Sequence, residues 1–145
     1  MDQPTPEQRT VATLDVYIDR LLPDDLAELN ESANKRLAFF AFLFGGISGL
    51  SLKEGLEPEQ AHAVAVSLFC QSLGLTPIDS IRMAGYGIDA TAGDSPWSYA
   101  AEAGLDEFFA WQADPVGFRV TRLRPVLDRA PADEDEPGSA KTFEK

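Results

Sequence analysis

Cysteine occurs once, at Cys70, and histidine once, at His62. A single thiol excludes an intrachain disulfide and any zinc site made from several thiolates of this chain. A single imidazole excludes a multi-histidine metal site. Basic residues are also scarce: 12 lysines and arginines stand against 24 aspartates and glutamates, for a formal net charge of −12. Phosphate backbones repel such a surface, so no nucleic-acid partner is expected. The longest apolar run, Leu37 to Leu50 (LAFFAFLFGGISGL), is short of the roughly 20 residues that a helix needs to cross ~30 Å of hydrocarbon. It reads as a buried core helix, and no membrane association is expected. The first ten residues, MDQPTPEQRT, carry no basic stretch followed by an apolar one and do not read as a secretory signal. With one free thiol, the cytoplasm is the expected compartment.

What is present is enough for one packed domain. The chain has 145 residues, of which 44% are apolar. The spacing predicts an all-α, compact single-domain bundle of about five to seven helices over residues 1–129. Thr5-Pro6-Glu7-Gln8 offers a capping hydroxyl, a proline at the first helical position and a reciprocal glutamine. Val11, Leu14, Ile18 and Leu21 follow at helical spacing, and Pro23 ends that helix. Asp24 and Asp25 open the next, whose stripe of Leu26, Leu29, Ala33, Leu37 and Phe40 leads to an all-apolar stretch that Gly45-Gly46 is expected to stop. Ile47 to Leu56 reads as a turn-rich connection. Pro58 opens a helix with Ala61, Val64, Ala65, Leu68, Phe69 and Leu73 on one face, closed by Gly74 and Leu75. Thr76 caps a short helix through Met83, with Ile78 and Ile81 turned inward. Gly85 to Pro96 reads as a loop. A helix from Ser95-Pro96 is expected to break at Gly104, and another to run from Leu105 to Ala113 with Leu105, Phe108 and Phe109 buried. Residues 116–127 fit a helix or an edge strand, with helix preferred. Residues 130–145, acidic and poor in apolar side chains, read as a flexible, disordered C-terminal tail.

Catalytic signatures are sparse. His62 and Cys70 lie eight residues apart on one predicted helix, hence ~12 Å along its axis, too far for a hydrogen-bonded thiol–imidazole pair. Gly45-Gly46-Ile47-Ser48-Gly49 lacks the Gly-Lys-Ser/Thr ending of a phosphate loop. The loop from Asp89 to Asp94 lacks the glycine and glutamate of a calcium loop. Glu102, Asp106 and Glu107 could serve hydrolysis only if they converged, and they read instead as a solvated helix face. No catalytic residue, metal or cofactor is expected.

Charge is unevenly spread. Between Arg82 and Arg119 there is no basic residue, while Asp89, Asp94, Glu102, Asp106, Glu107 and Asp114 lie in that interval. So do Tyr86, Trp97, Tyr99, Phe108, Phe109 and Trp111. Uncompensated carboxylates draw a basic partner and raise its association rate, and large rings concentrate binding energy. The predicted partner-binding set is Tyr86, Asp89, Asp94, Trp97, Glu102, Asp106, Glu107 and Trp111. Arg119, Arg122, Arg124 and Arg129 form the one basic patch, expected to pair with the protein's own carboxylates.

In size, acidity and helical character the chain resembles the small bacterial immunity proteins that neutralise a toxin by binding it. That resemblance implies an acidic surface laid over a basic catalytic cleft to exclude substrate. The expected function is therefore an inhibitor or chaperone of a basic protein such as a toxin or effector. The alternatives are a structural or regulatory adaptor, homodimeric through Phe39 to Phe44, and a carboxylate-dependent enzyme.

Overall fold

A computed structural model describes residues 3–21, 29, 31–93 and 95–131. Its first helix begins where the local signal places it. The Thr5 amide donates to Gln8 Oε1 at 2.9 Å, and the Gln8 amide donates to Thr5 Oγ1 at 3.1 Å, a reciprocal cap. Six helices follow in order among the described residues: α1 Pro6–Leu21, α2 Ala33–Lys53, α3 Pro58–Gln71, α4 Pro77–Thr91, α5 Ser98–Ala113 and α6 Leu123–Arg129. No strand occurs among them, so the all-α bundle is the observed architecture. The predicted stop at Pro23 and restart at Asp24-Asp25 lie outside the described residues. Ser32 caps α2, its hydroxyl accepting from the Lys35 amide at 3.2 Å.

Helix α2 touches each of the other five helices. It is long and apolar enough to cross a membrane, but 78% of that apolar stretch is buried inside the fold. Phe39 to Phe44 are all interior, so this helix leaves no face for the homodimer expected through it. The glycines do not stop α2 either. It continues through Gly45, Gly46 and Gly49 and ends before Gly55, whose φ of 77° supplies the left-handed turn. Gly45 and Gly104 are instead the crossing point of α2 and α5. A Cβ on Gly45 would overlap the Ala101 carbonyl oxygen, and one on Gly104 would overlap that of Phe42. The predicted break at Gly104 is thus absent for the same reason: bare backbone lets the two helices meet.

Helix α3 follows its sequence signals to the end. Gly74 takes φ 72°, and the Leu75 amide wraps back to the Phe69 carbonyl at 3.0 Å. Helix α4 is longer than predicted, because Gly85 and Gly87 remain helical. Gly87 receives the Phe44 ring, whose Cβ lies 2.6 Å from where a Cβ of its own would stand. With that ring against its inner side, α4 buries Ser80, Met83, Ala84, Gly87 and Ala90. Ile78 and Ile81 therefore point outward rather than inward, at 71% and 53% exposure. On α5, Phe108 is interior as expected, but Phe109 is 45% exposed.

Of the ambiguous span 116–127, only the part from Leu123 is helical. Pro125 lies in the first turn of α6, where an absent N–H costs no helical hydrogen bond. The tail expected from residue 130 starts attached. Ala130 packs on the core, and the Pro131 carbonyl accepts from Asn34 Nδ2 at 3.0 Å. Residues 132–145 lie outside the described residues.

Candidate partner-binding surface

The helix periods decide which predicted site residues can reach a partner. Helix α5 buries Ala100, Ala101, Gly104, Glu107, Phe108 and Trp111. Glu102, Asp106, Phe109 and Ala113 recur at intervals of four, three and four on its opposite side, and all four are exposed. Glu102 and Asp106 thus share one solvent-facing stripe. Asp89 is exposed on α4, and Tyr86 is half-buried there, packed against the core. Asp94 lies outside the described residues.

Glu107, Trp97 and Trp111 belong to the interior. Glu107 is fully buried, with its carboxylate closing the segment between α5 and α6. It accepts from the amides of Thr121 and Arg122 at 2.9 and 2.7 Å, and from Arg122 Nη1 at 3.0 Å. A carboxylate so placed offers no charge to a partner. Trp111 sits in a ring cluster with Tyr17 and Phe108, its centroid 5.3 and 5.8 Å from theirs. Trp97 is buried at the N-terminus of α5. The aromatic part of the predicted surface is therefore mostly core; period and composition do not reveal which side of a helix a ring will take.

Tyr17, at the centre of that cluster, has a buried hydroxyl with no hydrogen-bond partner among the described residues. Burial pushes its phenol far above the ordinary value of 10.0, and the nearby Glu107 carboxylate adds to the rise. Tyr99 is also raised, mainly by burial, while the Arg129 guanidinium 4.0 Å above its ring opposes the shift. The arginine patch is spent internally, as expected: Arg122 pairs with Glu107, Arg124 with Asp128 at 2.8 Å, and Arg129 stacks on Tyr99.

His62 is half-buried near the start of α3, and Cys70 Sγ lies 3.1 Å from Ser80 Oγ. Among the described residues no group of three or more His, Cys, Asp or Glu side chains is placed to hold a metal ion. A groove of about 470 Å³ runs between α1 and α3, bordered by Glu7, Val11, Asp15, Val64, Ser67 and Gln71.

Residues 9–117 match the family model for Immunity protein 48. The chain belongs to that family. No curated protein and no solved structure matches it. Membership in an immunity-protein family implies a toxin as the partner, so the surface that matters is one that meets another protein. In this immunity protein the candidate acidic residues on display are Asp89, Glu102 and Asp106. Sequence reasoning missed the outward isoleucines of α4. Their helical period was legible, but the side of the helix that the core would claim was not.

Proposed function

We propose that this immunity protein neutralises a basic toxin domain by covering its active site, without chemistry of its own. The family match over residues 9–117 carries the reading. Charge supports the finer part. From residue 83 to 118 there is no cation, and the one carboxylate of that interval that is buried, Glu107, is already paired with Arg122. Asp89, Glu102, Asp106 and Asp114 remain exposed, with a net −12 behind them. Such a field accelerates encounter with a positive cleft and holds the complex in register. The action is assigned to the cytoplasm of a bacterial cell, where one unpaired thiol persists.

The test is an association measurement with the toxin domain encoded beside this chain's gene. Reversing charge with Asp89→Lys, Glu102→Lys and Asp106→Lys together is expected to slow association by at least tenfold, leave the fold intact and restore toxin activity. Wild-type association is expected to slow steeply between low and physiological salt. Association indifferent to both salt and the triple reversal would exclude the electrostatic reading, and a toxin left active by excess wild-type protein would exclude the inhibitory one.

A further inference from the structure

Helix α4 wears its apolar side chains the wrong way round for a purely structural element. Its inner side carries small residues, Ser80, Ala84, Gly87 and Ala90, with Met83 the single large one. Its outer side carries Ile78, Ile81 and Ile88, at 71%, 53% and 41% exposure. The inner side has no room for them: Phe44 already fills the place of a Gly87 side chain. The isoleucines therefore contribute little to the core that the fold could not do without, and the spacing of three and seven keeps them on one strip. Between Ile81 and Ile88, Gly85 leaves a gap; a Cβ there would meet nothing within 4 Å. Together the three side chains expose roughly 300 Å², an apolar patch of the size that commonly marks a contact surface.

We propose that this outward strip of α4 is where the toxin docks, with Ile78, Ile81 and Ile88 as the apolar centre of the contact and carboxylates on its border. The inference rests on the function proposed above and adds the place and chemistry of the contact. Asp89, next to Ile88, and Asp79, next to Ile78, border the strip on α4. Arg82 is the only cation on this helix. The occupant is thus a surface with an apolar ridge flanked by basic side chains. A second copy of this chain fits poorly. Pairing two such strips would bring two bodies of charge −12 together, and the apolar area falls well below the ~1,000 Å² or more per side of an obligate homodimer. A toxin supplies the opposite charge and makes up the remaining area with polar contacts, the usual build of a non-obligate interface.

The experiment compares Ile78→Ala/Ile81→Ala/Ile88→Ala with Leu52→Ala, which truncates a side chain 75% exposed on α2. Both are titrated against the toxin domain encoded beside this gene, with circular dichroism and a thermal melt on each variant. Alanine favours helix over isoleucine, so the triple variant is expected to melt close to wild type and to bind at least 100-fold more weakly. Leu52→Ala is expected to bind as wild type. Equal binding by wild type and the triple variant overturns the inference alone and leaves the proposed function standing. Collapse of the triple variant's helical signal overturns it too, by showing that the isoleucines serve the core. If wild type itself does not bind, the proposed function falls and the docking site falls with it.

Discussion

Gly104→Ala separates local preference from tertiary packing. In an isolated helix, replacing a mid-helix glycine by alanine is stabilising by about 1 kcal/mol. In this protein a Cβ at position 104 would overlap the Phe42 carbonyl oxygen and stand 2.6 Å from its carbonyl carbon and 2.9 Å from its Cα. Carbon atoms rest about 3.5–4.0 Å apart, so α5 must retreat from α2 by roughly 1 Å. The obstacle is backbone, so no rotamer change relieves it. This crossing is the most extensive helix pair in the fold, and retreat loosens Phe42 and Phe108 on either side of it. Overpacking of this kind costs about 1–3 kcal/mol, more where backbone must move. The expected net result is a loss of at least 1 kcal/mol, read as a lower urea midpoint with an unchanged slope. Gly85→Ala, whose Cβ would meet open space, is the matched control and is expected to stabilise. A Gly104→Ala protein as stable as wild type, or more so, would refute the close crossing.

Three further outcomes follow from particular side chains. Tyr17→Phe removes a buried hydroxyl without a partner and is expected to cost little or nothing near neutral pH. Because the folded phenol titrates above the unfolded one, wild type keeps this contribution below pH 10 and loses it as pH rises further, at about 1.4 kcal/mol per pH unit; Tyr17→Phe should lack that slope in denaturation curves taken above pH 10. Glu107→Ala strips the acceptor from two amides and from Arg122, and is expected to cost about 3 kcal/mol, with faster hydrogen exchange at Thr121 and Arg122; Glu107→Gln, which keeps one acceptor, should lose less. Thr5→Ala opens the cap of α1 and is expected to lower stability by about 1 kcal/mol, detectable as a shift in Tm.

Helix starts were legible because their causes are local. Thr5 and Thr76 each hold the amide three residues on, and both were identifiable from four consecutive residues. The candidate site was legible in part for the same reason. Glu102 and Asp106, four apart, necessarily share a helix face, and that face proved to be the wet one. Glu107, their neighbour, was misplaced. Whether a carboxylate is solvated or buried against Arg122 depends on where the chain returns fifteen residues later.

Glycine shows the division most clearly. Gly74 was placed correctly as a helix terminator, because the need for a positive φ follows from the residues beside it. Gly45 and Gly104 were misplaced as breaks, because the need for a missing side chain comes from a helix some sixty residues away in sequence. The isoleucines of α4 follow the same logic. Local order alone made α4 a helix with Ile78 and Ile81 on one side. The ring of Phe44, arriving from α2, decided that this side would face outward. Sequence by itself determined the helical class, the helix starts and the acidic character. Which faces turn inward is a property of contacts between distant segments, and only the assembled bundle decided it.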